Sequence, residues 1–190
     1  MTTLSPLRHD PMTSDEFLVW ATGVDGEKVE LSNGEVIAMA GGSKRHATVK
    51  RRVDEALRRG LSASGSGCAS FIDDIAVVVD DGTVCFPDVV VDCAGNDDLD
   101  SNVASDPVIV VEVLSPSTAS HDRGGKFADY FSVPGICHYL IVDAVRQRVT
   151  HHARDGECIV SRILFEGTIS LDPLGVTINI ADFWPRENLV

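Results

Sequence analysis

No run of about 18 consecutive apolar residues occurs in this chain of 190 residues, so the sequence predicts no membrane-spanning helix. The stretch from Met1 to Pro11 lacks a basic segment leading into an apolar one, and no secretory leader is expected. Cysteine is sparse. Cys68, Cys85, Cys93, Cys137 and Cys158 are odd in number and include no C-x-x-C pair. Most lie in apolar, strand-like segments, which implies small buried thiols in a reducing cytoplasm rather than disulfides or a zinc site. Positive charge is also scarce: 16 Lys and Arg stand against 29 Asp and Glu, a formal net charge of −13. That balance disfavours tight, sequence-independent binding to nucleic acid. There is no internal repeat and no low-complexity tract.

What is present fits one domain over residues 1–190, with 44% hydrophobic content and enough chain for a sizeable core. Thr13-Ser-Asp-Glu16 has capping-box spacing, predicting a helix from about Ser14 to Thr22. Asn33-Gly34 between Lys28–Leu31 and Glu35–Met39 predicts a tight type I′ hairpin. After Gly41-Gly42, Ser43 can cap a helix reaching about Leu61, with Val49, Val53, Ala56 and Leu57 on one stripe and His46 on the same face. Seven of the 16 basic residues fall between Lys44 and Arg59, mostly off that stripe. A solvated helix face and a phosphate-binding face are both open readings, the first being the commoner.

Further strands are predicted over Phe71–Val79, Thr83–Phe86, Val89–Val91, Val108–Leu114, Cys137–Val142, Arg148–Ala153, Ile159–Phe165 and Val176–Ile180. A helix from about Ser120 to Phe131 carries Lys126 and Tyr130, with Gly124-Gly125 weakening its first turn. Helices and strands intermingle, which makes the class α/β or α+β around a mixed sheet flanked by helices.

The stretch from Pro107 to Asp143 holds the chemistry. Glu112 interrupts an apolar run of the kind buried on both faces, where a carboxylate is costly unless it meets a cation or several donors. A structural ion pair would serve. So would a metal, because Phe86-Pro87-Asp88 opens another apolar strand, and two acids converging from neighbouring strands repel unless a divalent cation lies between them. All-oxygen ligation suits Mg²⁺ or Mn²⁺ better than zinc.

Pro87-Asp88, Glu112-Val113-Leu114-Ser115-Pro116-Ser117-Thr118, Asp122-x-x-x-Lys126, Tyr130, Gly135-Ile136, Tyr139 and Asp143 together resemble the Uma-two family. That family is classed with restriction endonucleases of the PD-(D/E)XK superfamily. The usual (D/E)-x-K pattern places a Lys two residues after the acid, on the same strand face, but here that position is Leu114. The family tends to carry its Lys displaced onto the next helix, which points to Lys126.

The resemblance implies a restriction-endonuclease-like fold and a DNA endonuclease that hydrolyses phosphodiesters with a metal-activated water. Asp88, Glu112 and the Val113 carbonyl would bind Mg²⁺ or Mn²⁺, and Lys126 would orient the water. Glu35 matches an acid that joins this pair, or is a plain hairpin residue facing solvent. His46 matches a His at the start of the following helix; it could position Glu35, touch the scissile phosphate, or pack in the core. Tyr130 is expected to pack, and Asp122 to pair with Lys126. His151-His152 cannot share one site, because adjacent strand residues face opposite ways. DNA is the implied substrate, and a nuclease needs acids at its metal site, so the negative charge does not exclude one. Cleavage of both strands would require two sites, hence an expected two-fold dimer. The alternative is a catalytically inactive module of the same fold that binds protein or nucleic acid.

Overall fold

The computed structural model describes residues 10–24, 28–39, 41–95, 100–114 and 125–185. Helix α1 (Ser14–Ala21) starts where the capping box requires: the Thr13 hydroxyl accepts from the Glu16 N–H, and the Glu16 carboxylate from the Thr13 N–H. Strands β1 (Val29–Ser32) and β2 (Glu35–Ala38) form the expected hairpin, with Asn33 and Gly34 at φ 51° and 82°. Helix α2 (Lys44–Ser64) begins at the Ser43 cap and runs three residues beyond the expected end, to Gly65 in the left-handed conformation.

The apolar run from Phe71 to Val79 is not one strand. Asp73 and Asp74, at φ 54° and 52°, break it into β3 (Ala69–Ile72) and β4 (Val77–Asp80), which belong to different sheets. Then follow β5 (Thr83–Cys85), β6 (Val89–Asp92), β7 (Pro107–Leu114), helix α3 (Gly125–Ser132), β8 (His138–Asp143), β9 (Arg148–Asp155) and β10 (Cys158–Leu164). A hairpin of β11 (Thr168–Leu171), which the periodicity missed, and β12 (Val176–Asn179) leads to a closing 3₁₀ turn, Ile180–Phe183. Residues 120–124 of the expected third helix, with Asp122, lie outside the described residues.

Among the described residues the strands make a six-stranded sheet ordered β10-β9-β8-β7-β6-β3, a four-stranded sheet ordered β2-β1-β5-β4, and the β11-β12 hairpin. The large sheet is mixed: β7 pairs parallel to β8 and antiparallel to β6. Strand alternation assigns its two faces. Val89, Val91, Ile109 and Val111 pack under Val49, Val53 and Leu57 of α2, whereas Val90 and Val110 pack with Tyr130 of α3 and with Tyr139. Both faces are covered, so β7 is buried along its whole length. No helix among the described residues is long and apolar enough to cross a membrane.

The basic residues of α2 are largely occupied by this chain's own acceptors. Arg51 pairs with Glu55, Arg58 with Asp54 and Arg59 with Asp182, while Arg52 donates to the Trp184 carbonyl. The cysteines need a correction. Cys68 and Cys93 form a disulfide, with Cα atoms 4.2 Å apart. Each stands one residue beyond the register pair Ala69↔Asp92 of β3 and β6, and so they face one another, a proximity that spacing along the chain does not reveal. Cys85, Cys137 and Cys158 are free, and only Cys85 is buried as expected; Cys137 is half-buried and Cys158 exposed.

His151 and His152 do face opposite ways. His152 packs against Phe127 and Tyr139, whereas His151 is buried beside His138. His138 must donate through Nε2 to the Asp172 carbonyl, 2.6 Å away, so its Nδ1 accepts from His151 Nε2 at 3.0 Å. Burial first, then the charges of His138, Arg162 and His152, lower the His151 pKa to about 4; burial also lowers that of His138, against the pull of Asp172. The unfolded chain therefore takes up protons that the fold resists. Stability is fully present above pH about 6.5 and is lost as pH falls toward 4, by about 1–2 kcal/mol from His151 after allowance for solvent screening, and His138 adds in the same direction. Urea unfolding midpoints across that range should fall, and should fall less in His151→Asn; equal pH dependence of the two proteins would contradict this.

Candidate active site

Asp88 lies one position before β6, and continuing the register Val89↔Val111 sets it opposite Glu112 on β7. The two acids the sequence singled out are therefore neighbours across one strand pair. Asp88 Oδ2 accepts from the Val113 N–H at 2.8 Å and from His46 Nε2 at 3.1 Å. Glu112, on the face of β7 that meets α3, accepts at Oε1 from Lys126 Nζ at 2.9 Å and from the Tyr130 hydroxyl at 2.7 Å. Lys126 also donates to Glu30 Oε1 at 2.9 Å, and that oxygen takes the Phe86 N–H as well. Asp88, Glu112, Lys126 and His46 are thus brought together.

Glu35 is not. It stands exposed at the start of β2, and the acid of the hairpin that reaches the site is Glu30 on β1. Alternation explains the exchange, because Val29 and Leu31 enter the core and Glu30 between them faces the other way, toward α3. From the sequence alone such a residue reads as solvent-facing. His46 positions Asp88 rather than Glu35. Gly42 permits this, since a Cβ there would lie 2.5 Å from His46 Nδ1. Tyr130 is buried as expected, but its hydroxyl also fixes Glu112.

Two more residues join the group. Lys50, one turn beyond His46 on α2, has its amine 3.5 Å from Asp88 Oδ1. It also contacts the carboxylate of Asp73, which receives Lys28 too. The i,i+4 spacing of His46 and Lys50 was a signal available in the sequence.

These side chains line one cavity of about 810 Å³. Among its described residues, six carboxylates face three lysines, so the field inside favours cations. Burial raises the Glu112 pKa to about 7; the Lys126 charge and the Tyr130 hydrogen bond pull it down, but Asp88 and Glu30 add to the rise. For Asp88, burial is outweighed by the hydrogen bond and charge of His46, the Val113 N–H and Lys50, and its pKa is held below the usual carboxylate range. Lys126 would lose its proton through burial, yet Glu112 and Glu30 hold it charged, its pKa above the ordinary value. Among the described residues, no group of three or more His, Cys, Asp or Glu is arranged to hold a metal ion. Lys126 and Lys50 offset the charge of the acid pair only in part.

A model of the Uma2 family, described as "Putative restriction endonuclease", matches residues 14–181. The chain belongs to this family. Similar proteins include the uncharacterized protein slr1290 of Synechocystis sp., 31% identical over 169 residues and covering 87% of both chains. Another, sll1609 of the same organism, is 28% identical over 134 residues, or 69% of this chain and 75% of its own. The fold is similar to the crystal structure of "a putative nuclease belonging to DUF820" from Anabaena variabilis. The TM-score is 0.70 at 16% identity, with 92% of this chain and 98% of that one covered. At that identity the likeness shows the fold, which is the nuclease-like mixed α+β architecture expected from the sequence. Family membership places the chain with proteins of the restriction-endonuclease type.

Proposed function

We propose that this Uma2-family chain is a metal-dependent endonuclease that hydrolyses DNA phosphodiesters by in-line attack of water. The observation that carries the reading is the placement of Asp88 and Glu112 opposite one another in one cavity, with the Lys126 amine 2.9 Å from Glu112. The donor set, two strand carboxylates with the Val113 carbonyl, is all oxygen and suits Mg²⁺ or Mn²⁺. It also suits them in charge, because burial and the neighbouring acids raise the Glu112 pKa and a cation would offset both. When bound, such an ion polarises a phosphate oxygen and acidifies a water.

The protein's own groups do the positioning. His46 and the Val113 N–H fix the Asp88 carboxylate, and the Tyr130 hydroxyl fixes that of Glu112. Lys126 has three N–H donors, two of them given to carboxylates among the described residues, so one can be directed at the attacking water or a non-bridging phosphate oxygen. A two-fold dimer would supply the second site that cutting a duplex needs.

The test is incubation of the purified protein with supercoiled, linear and single-stranded DNA in Mg²⁺, Mn²⁺ or EDTA. Cutting that needs the ion supports the reading. Binding of DNA or protein without cutting of any form would instead favour an inactive module on the nuclease fold.

A further inference from the structure

Helix α2 aims two side chains, one turn apart, at Asp88. The first is His46. The second, Lys50, has a side chain only 12% exposed, and it lines the same cavity as Glu112 and Lys126. Its amine lies 2.7 and 2.8 Å from the two Asp73 oxygens and 3.5 Å from Asp88 Oδ1.

The loop that provides Asp73 is costly to build. Asp73 and Asp74 are both left-handed, at φ 54° and 52°, which for non-glycine residues costs about 1–2 kcal/mol each. The Asp73 N–H donates to the Asp88 carbonyl at 3.3 Å and the Ile75 N–H to the Asp73 carbonyl at 2.6 Å, so the bent loop is tied directly to the Asp88 backbone. Lys28 adds a second amine to Asp73 Oδ1 at 2.8 Å. A lysine needed only to neutralise Asp73 could do so from the surface, as the half-exposed Lys28 does. Lys50 is instead held inside, beside the acid pair.

A phosphodiester entering this cavity meets carboxylates on several sides. Lys126 offsets Glu112 and Glu30, and Lys50 is the amine on the Asp88 side. We propose that Lys50 is a second functional amine of the site, contacting the scissile phosphate from the Asp88 side while Lys126 acts from the Glu112 side, with Asp73 as the residue that positions it. The inference rests on the nuclease reading above. Its long contact to Asp88 is the one exchanged for a phosphate oxygen, while the two short bonds to Asp73 keep the amine in place.

This role has two signatures of opposite sign. Removing Lys50 takes a positive charge away from Asp88, so divalent ions bind tighter; it also removes a phosphate contact, so nucleic acid binds more weakly. A structural lysine would loosen the Asp73 loop and Asp88, and both affinities would fall.

Lys50→Gln, Lys50→Arg and Asp73→Asn are compared with the wild type by Mn²⁺ calorimetry without DNA. The same proteins are titrated, by fluorescence anisotropy in Ca²⁺, into a short single-stranded oligodeoxynucleotide. Lys50→Gln should bind Mn²⁺ about threefold to tenfold tighter and the oligonucleotide about tenfold more weakly, the scale of a lost charged hydrogen bond. Lys50→Arg should recover most of the oligonucleotide affinity, and Asp73→Asn should weaken it in the same direction as Lys50→Gln. Lys50→Met, which keeps the apolar stem, makes the same comparison if Lys50→Gln does not fold. Unchanged or weaker Mn²⁺ binding by Lys50→Gln, or unchanged oligonucleotide binding, overturns the proposal. A wild type that binds Mn²⁺ and DNA but cuts nothing sinks the nuclease reading alone, and the binding signatures still decide the role of Lys50. A wild type that binds neither overturns both.

Discussion

Glu112→Gln should abolish cleavage and yet make the metal-free protein more stable at pH 8. The first effect is a loss of at least about 10³-fold in rate, because a neutral amide replaces one of the two carboxylates proposed to hold the ion. The second follows from burial. The folded Glu112 pKa, about 7, lies above its ordinary value of 4.5. A carboxyl shifted upward contributes stability that is fully present below the unfolded pKa and lost as pH rises through the folded one. At pH 8 the wild type therefore carries a buried charge that glutamine does not, worth up to about 3 kcal/mol. Lys126 retains Glu30 as a partner in the variant. Denaturant unfolding should show Glu112→Gln ahead by about 1–3 kcal/mol at pH 8, with the gap closing as pH drops below 7. A variant that is less stable at pH 8 and still cuts would show that Glu112 is a structural partner of Lys126.

Lys126→Met should do the reverse to stability. It removes the one amine among the described residues within hydrogen-bond distance of both Glu30 and Glu112, and leaves a buried acid beside a half-buried one. Breaking a buried pair in this way costs about 3–5 kcal/mol. Cleavage should fall by about 10²–10³-fold, the scale seen when a preorganised donor to a developing charge is lost. The two effects separate in a double variant. Glu30→Gln placed on Lys126→Met relieves part of the repulsion and should recover stability without recovering activity. A Lys126→Met protein as stable and as active as the wild type would remove Lys126 from the site.

Much of the site was readable because its parts break strong local patterns. Glu112 interrupts a fully apolar strand, and Asp88 sits at the head of another, so each announced itself against its neighbours. Their meeting then followed from strands adjacent in the sheet. Glu30 and Glu35 show the opposite case. Both lie on a hairpin whose turn is plain from Asn33-Gly34; alternation turns Glu30 away from the core, but that this outer face meets Lys126 rather than solvent is set by tertiary packing. Asp73 and Asp74 fall inside the Phe71–Val79 run, which reads as one strand. In the fold both residues are left-handed, which splits the run between two sheets and puts Asp73 under Lys50. The Cys68–Cys93 pairing and the β11 strand likewise come from tertiary neighbours.

Titration of Mn²⁺ into the metal-free protein by calorimetry, across pH about 5.5 to 8.5 and beside Asp88→Asn and Glu112→Gln, tests most directly the proposal that the acid pair binds a cation. One ion per chain should bind the wild type, with affinity falling about tenfold for each pH unit below 7, where Glu112 must first give up its proton, and level above it. Both variants should lose this binding. Absence of Mn²⁺ binding by the wild type, or binding that neither substitution weakens, would contradict it.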